Sequence, residues 1–178
     1  MREKFWSMYE QVKYSERYFF FYREEAKAKD RNVKIFLIVT SLSSIANLGL
    51  WEKIPFLWAI IALVAQVVSA ILYLFPYSDQ ITALNYLLPE LDHLLNQIDY
   101  DWDQINEFQA IPDLEINKLV LEYNEKYSNL EHRYTNGVSF PRNEKCDKKA
   151  QGDCEQFKYA RFGIAQTNYL EEALNGGK

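Results

Sequence analysis

Residues 35–51 read IFLIVTSLSSIANLGLW and residues 54–77 read IPFLWAIIALVAQVVSAILYLFPY, two apolar runs without a charged side chain. An α-helix rises about 1.5 Å per residue, so about 20 residues cross a hydrocarbon core about 30 Å thick. The runs are joined only by residues 52–53. They therefore predict an all-α membrane protein built on a transmembrane helical hairpin, with spans at 35–51 and 56–77.

Basic residues predict the orientation of this hairpin. Four bases lie within residues 27–34, whereas the link carries only Lys53. Lys and Arg favour the cytoplasmic side of a membrane, so both chain ends are expected in the cytoplasm. The predicted domains are a cytoplasmic amphipathic helix at 1–34, the hairpin at 35–77 and a cytoplasmic, coiled-coil-like helical domain at 78–178. A hairpin buried in a soluble bundle is the alternative, and the missing polar stripe argues against it.

Each apolar run also carries a stripe of small and polar side chains. Thr40, Ser44 and Asn47 recur at helical spacing in the first run, and Gln66 and Ser69 lie in the second. Unpaired amides are costly in lipid, so these side chains are expected to face protein or water. Two interpretations stay open. The stripes form contacts between helices, or they line a water-filled pathway that only an oligomer of hairpins can enclose.

Residues 4–33 predict one long helix leading into the first run. Its apolar side is spaced by three, four and seven residues and comprises Phe5, Tyr9, Val12, Phe19, Ala26 and Val33. Elsewhere bases alternate with rings. The candidate nucleotide-binding residues are Tyr14, Arg17, Tyr18, Arg23 and Lys27, because bases and rings together can hold phosphates and stack bases. Such residues can equally anchor a helix at an anionic membrane surface, or simply pack in a bundle.

The C-terminal half predicts a helical hairpin followed by a last helix. One seam with heptad spacing contains Leu84, Leu88, Leu91, Leu95, Ile98, Trp102 and Ile105. Pro89 interrupts it, so a kink or restart is expected there. A second seam, expected to pack antiparallel on the first, contains Ile116, Val120, Tyr123, Tyr127, Leu130 and Tyr134. Asn136 and Gly137 predict a turn, residues 135–153 a loop, and residues 155–174 the last helix.

Charge and motif content argue against an enzyme. Residues 54–117 contain nine Asp or Glu and no Lys or Arg, which predicts a solvated acidic face or an acidic vestibule that attracts cations. Cys146 and Cys154 are expected to be free thiols in a polar loop. The chain lacks a Gly-rich phosphate loop, a nucleophile with a partner base and paired metal-ligand spacings. We therefore predict no catalytic residue, no metal and no cofactor.

The order of these segments resembles the SLATT family, two-transmembrane effectors found beside nucleotidyltransferases in bacterial antiphage systems. The resemblance covers roughly residues 10–130 and rests on the segment YSERYFFFYR at 14–23, the Ser-rich first run, the short link, the second run and the helical tail. The acidic, Pro-containing tail and the segment after Asn136 depart from the family pattern.

This resemblance implies a homo-oligomeric channel, with a tetramer as working stoichiometry, in the lipid bilayer of the bacterial inner membrane. A cyclic or linear nucleotide signal from a companion nucleotidyltransferase would gate the channel, and opening would depolarise the membrane and arrest growth. The alternative function is a membrane-anchored scaffold that recruits a cytoplasmic partner through its helical tail.

Overall fold

The fold is a bundle of α-helices. The computed structural model describes residues 1–45, 60, 63, 64, 66–68, 77–106 and 111–162. The helices with defined ends are α1 (Arg2–Ile45), α2 (Tyr77–Asn106), α3 (Asp113–Thr135) and α4 (Glu144–Phe162). No strand occurs within these described ranges. The predicted all-α class is therefore confirmed.

Helix α1 confirms the predicted N-terminal helix and continues beyond it. It runs unbroken for 44 residues, or about 66 Å, and its last turns belong to the first apolar run. The predicted apolar side packs against the other helices, and its buried members are Phe5, Tyr9, Val12, Phe19 and Ala26. Val33 is only half-buried. The helical period alone therefore identified the buried side of α1 over the part that contacts the bundle.

Helix α2 carries the first predicted seam, and all seven of its members are buried. The restart expected at Pro89 is wrong, because the helix passes through this residue without interruption. A proline has no N–H to donate, so the carbonyl group of Asn85 loses its partner within the helix. Both residues are exposed. Water can therefore solvate the carbonyl group, and the proline is tolerated on the outer side of α2.

Helix α3 packs antiparallel on α2, as the second seam predicted. Near one end of this pair the rings of Tyr86 and Tyr134 stack with centroids 6.4 Å apart. Near the other end the Tyr123 hydroxyl donates a hydrogen bond to Asp101 Oδ2 at 2.7 Å. Early residues of one helix therefore meet late residues of the other.

Helix α4 begins where the sequence predicted a loop. Gly137, with φ at 80°, forms the predicted turn after α3, since glycine adopts this left-handed conformation without strain. Asn143 then acts as the N-cap of α4. Its side-chain oxygen accepts hydrogen bonds from the backbone N–H groups of Lys145 at 3.0 Å and Cys146 at 3.3 Å. The loop predicted through residue 153 is therefore wrong, and of the helix predicted at 155–174 only residues up to 162 are described.

Residues from α1 and from the three later helices share one hydrophobic core. The N-terminal helix is thus part of the same bundle as the tail. No helix in the described part of the chain has the length and apolarity of a membrane span. Most of the second predicted span, and the first beyond residue 45, lie outside the described residues, so the hairpin and the domain boundaries stay predictions.

Candidate functional site

Tyr14 and Tyr18, two of the predicted ligand-binding residues, face the start of α4. The Tyr14 hydroxyl donates a hydrogen bond to Asp147 Oδ1 at 2.5 Å. The Tyr18 hydroxyl accepts one from the backbone N–H of Asn143 at 3.1 Å. The two rings stack with centroids 6.3 Å apart. Both side chains therefore hold α4 against α1 in this structure.

Arg23 and Lys27 lie roughly on the side of α1 opposite to Tyr14 and Tyr18, since each residue turns a helix by about 100°. Both contact the Glu24 carboxylate, Arg23 through Nε at 3.2 Å and Lys27 through Nζ at 3.0 Å. Arg17 pairs with Glu16 at 3.3 Å. The five predicted residues therefore do not converge on one pocket of the described chain. Their role in binding a nucleotide stays a prediction.

The residues predicted to line a pore or a helix contact are only partly described. Thr40 and Ser44 occupy positions four residues apart near the end of α1, so they share one side of that helix. Gln66 is exposed and helical. Asn47 and Ser69 lie outside the described residues. Whether these side chains face water or another helix stays a prediction.

The contact between Tyr14 and Asp147 is expected to make the bundle sensitive to alkali. Burial, followed by this hydrogen bond, raises the pKa of Tyr14 from 10.0 to about 12. Below pH 10.0 the folded and unfolded chains both keep the phenol proton, so the stabilisation is complete there. Above it the unfolded chain loses its proton first, and the stabilisation disappears as the pH rises to about 12.

We therefore expect Tyr14→Phe to flatten the decline in the free energy of unfolding over this pH range. Urea unfolding at a series of pH values, followed by the helical circular dichroism signal, measures that decline. Tyr100→Phe is the matched control because Tyr100 is exposed on α2. A decline in Tyr14→Phe as steep as in the wild-type protein would contradict the expectation.

Acidic side chains of α2 are held by partners from other helices. The Tyr9 hydroxyl donates to Asp99 Oδ1 at 2.6 Å. Arg161 of α4 pairs with the same carboxylate at 2.9 Å and also contacts Asp103. These two carboxylates of the predicted acidic face remain partly exposed, and α4 supplies beside them the positive charge that α2 lacks.

Both cysteines are free thiols, as predicted, but they lie on α4 rather than in a loop. Cys146 is buried and Cys154 is half-buried. Burial is the main cause that raises the pKa of each thiol to about 11, so both are protonated at neutral pH. In the described part of the chain, no three His, Cys, Asp or Glu side chains converge where they could hold a metal ion.

A cleft of about 540 Å³ lies where the middle of α1, the start of α2 and the start of α4 meet. The polar side chains that line it include Tyr22, Glu25, Lys29, Gln80, Arg142 and Lys145. None of the five predicted nucleotide-binding residues belongs to its described lining. No local pattern marks this cleft, because its residues come from three segments, 22–29, 77–80 and 141–145, that lie far apart in the sequence. Recognising Asn143 as an N-cap would have been the one useful signal.

Glu25 positions one basic side chain of the cleft. Its carboxylate contacts Lys29 Nζ at 2.8 Å and accepts a hydrogen bond from the Cys146 thiol at 3.6 Å. The hydrogen bond with Lys29 is the largest cause that lowers the pKa of Glu25 to about 2. Glu25 therefore stays ionised at neutral pH and holds Lys29 at the edge of the cleft.

Gln80 is a buried polar side chain with one unpaired atom. Its Nε2 donates a hydrogen bond to the carbonyl oxygen of Ser139 at 2.7 Å. Its Oε1 is buried and has no hydrogen-bond partner among the described residues. The Ser139 carbonyl can only accept, so the amide nitrogen must face it. Because an unpaired buried acceptor costs about 1–3 kcal/mol, Gln80 is a candidate contact for a bound molecule.

Comparison with known proteins identifies no relative. The chain matches no protein-family model, no curated protein and no solved structure.

Proposed function

We propose that this protein is a membrane effector of bacterial antiphage defence that forms a homo-oligomeric channel gated by a nucleotide signal. The observation that carries the proposal is the length of α1, which runs unbroken from the packed bundle into the first apolar run. A single helix about 66 Å long therefore joins the tail bundle to the proposed membrane segment. A ligand that favours one of two bundle arrangements would move that segment with it.

Exposed apolar side chains support insertion of the two runs into a bilayer. Ile35 is 53 % exposed, Leu63 62 % and Val67 52 %. No described residue of either run belongs to the hydrophobic core of the bundle. Exposed apolar surface of this kind marks contact with another protein or with lipid. Lipid is the better match because each run has about the length that crosses a bilayer.

The resemblance to the SLATT family supplies the finer parts of the proposal. It supports a homo-oligomer in the bacterial inner membrane, with a tetramer as the first stoichiometry to test. It also supports a nucleotide as the signal. The Lys and Arg residues before the first run favour both chain ends in the cytoplasm. Even a small open pathway would be damaging, since one charge crossing the membrane releases about 2.3 kcal/mol per 100 mV.

Ion flux into liposomes tests this function. We expect the full-length protein, reconstituted in liposomes, to conduct ions when one member of a panel of cyclic and linear nucleotides is added. Substituting Ser44→Leu and Asn47→Leu together should remove most of that flux while leaving the protein inserted, because leucine dries a water-lined pathway. Protein-free liposomes with the same nucleotides are the control. Retention of dye and unchanged conductance with every nucleotide would refute the channel.

A scaffold function is favoured by one separate observation. Leu114 and Leu121 on α3 are 70 % and 71 % exposed, and they lie seven residues apart on the same side of the helix. Two exposed leucines at this spacing could receive an amphipathic helix of a partner. Under this alternative the protein binds its partner at the membrane and conducts no ions in the liposome experiment.

A further inference from the structure

The cleft between α1, α2 and the start of α4 has an acceptor that the described residues leave unused. Gln80 Oε1 is buried without a partner in them. Such atoms are rare in folded proteins, because they lose contact with water and gain nothing in exchange. Gln80 also lines the cleft, so a bound molecule that displaces the atoms now covering Oε1 and donates a hydrogen bond would satisfy this acceptor. Gln80 therefore favours a ligand with a hydroxyl or amino group.

Basic side chains around the cleft keep free donors. Arg142 is exposed and pairs with Asp147 through one guanidinium nitrogen at 2.9 Å. Lys29 contacts Glu25 at 2.8 Å. Lys145 makes no ion pair with any carboxylate of the described ranges. A guanidinium carries five N–H donors and an ammonium three, so several donors remain available to an anion. Phosphate and carboxylate oxygens form strong, charge-assisted hydrogen bonds with such groups, and a phosphate can accept from several of them at once.

The aromatic side chains and the volume of the cleft indicate what else the ligand contains besides its phosphate. Two aromatic side chains, Tyr22 and Tyr77, line the cleft. Rings of this kind stack on nucleobases and also cover apolar groups. The volume of about 540 Å³ lies within the usual range for small-molecule sites. The cleft is lined by two acidic side chains, Glu25 and Glu144, and by three basic ones, so the lining side chains carry a net positive charge.

The cleft lies at the end of the bundle that is nearest to the apolar runs. Lys29 precedes the first run by six residues, or about 9 Å along α1, and Tyr77 is the last residue of the second run. A phosphate group bound this close to the proposed membrane segments has two possible sources. One is a soluble nucleotide, and the other is the headgroup of an anionic phospholipid.

We infer that this cleft binds a phosphate ester, with its phosphate held by Lys29, Arg142 and Lys145 and a donor group directed at Gln80. The inference rests on the proposed function only in naming the place where a signal would act on α1. Phosphate binding itself does not require the protein to be a channel.

Lysine labelling of the full-length protein in neutral detergent tests the inference. Mass spectrometry after brief treatment with an amine-reactive reagent reports the labelling rate of each lysine. One arm adds adenosine diphosphate, and the other adds phosphatidylglycerol to the micelles, both at matched ionic strength. We expect one of these probes to slow the labelling of Lys29 and Lys145. Lys118, exposed on α3 away from the cleft, is the internal control and should label at an unchanged rate.

Two variants connect any protection to the cleft. We expect each of two variants, Lys145→Gln and Gln80→Leu, to lower the affinity for the active probe by about tenfold. This is the effect of losing one hydrogen bond that involves a charged or buried partner. Lys145 is exposed. The Gln80→Leu change removes an unpaired acceptor together with the hydrogen bond to the Ser139 carbonyl, and Ser139 is exposed, so water can replace that bond. Both variants are therefore expected to fold. Lys118→Gln is the matched charge control and should leave the affinity unchanged.

The outcomes separate this inference from the proposed function. Protection by the diphosphate identifies a soluble ligand, protection by the lipid identifies a headgroup, and either supports the cleft. The inference is overturned if neither probe changes the labelling rate of Lys145. It is also overturned if Lys118→Gln lowers the affinity for the probe as much as Lys145→Gln does. If nucleotide-dependent ion flux is unchanged in both cleft variants, the cleft is not the site of the signal, whereas the channel function is supported. If the cleft variants weaken probe binding but no ion flux is found, phosphate binding in the cleft is supported and the channel function is refuted.

Discussion

Replacing Leu63 and Val67 together by arginine is expected to prevent the protein from inserting into the membrane. Both residues lie near the middle of the predicted span at 56–77, and both are exposed. An arginine at the centre of a spanning helix costs about 2.5–3.5 kcal/mol on insertion scales, and this variant introduces two. The fraction of protein that stays in membrane pellets after alkaline carbonate extraction measures the effect. It should fall from nearly all of the wild-type protein to a small part of the variant.

The matched control places the same two changes on another exposed apolar pair. Leu114→Arg with Leu121→Arg adds identical charge to α3, where both leucines are exposed in the tail bundle. This variant should remain in the membrane pellet. If the wild-type protein itself is extracted by carbonate, or if both double variants are released equally, the two runs do not anchor the protein in lipid.

Leu91→Ala is expected to lower the free energy of unfolding of the bundle by about 2–5 kcal/mol. Leu91 is fully buried on α2 and belongs to the single core that joins α1 with the later helices. Removing its outer side-chain atoms loses the gain from burying them and leaves a cavity that the neighbours fill only in part. Urea unfolding of the full-length protein in neutral detergent, followed by circular dichroism, measures the change.

Leu121→Ala is the control for Leu91→Ala, because it makes the same chemical change at an exposed position. Its effect should stay within about 0.5 kcal/mol, as for most surface substitutions. Equal effects of the two variants would mean that Leu91 does not lie in a packed core. The helical assembly described for α1 and α2 would then be wrong.

Most of the bundle was predictable because two helices bury a regular side. In α1 and α2 the apolar residues recur at helical spacing, and the structure buries all seven members of the α2 seam. Such a pattern is visible in the sequence since a helix must place its apolar side chains on one side to remove them from water. A restart at Pro89 was wrongly expected because the rule for proline does not state which side of the helix is exposed to solvent.

Helix α4 was not predictable in the same way. Its sequence is polar, and the segment expected to be a loop contains Gly152 and many charged side chains. It is stabilised instead by the Asn143 cap and by burial of Cys146 and Ala150 in the bundle. The cap is local and could have been recognised from the sequence, but the burial depends on α1, more than 100 positions earlier in the chain, which no local window of sequence contains.

The sequence by itself determined the helical class, the two apolar runs and the buried sides of α1 and α2, because each depends on residue spacing along one helix. Only the tertiary structure decided which residues of α4 are buried, that Arg161 pairs with acidic groups of α2, and that a cleft joins Lys29, Gln80 and Lys145. The physical reason is that hydrogen bonds, ion pairs and cavities depend on distances in space between helices, whereas hydrophobic periodicity depends on positions along a single one.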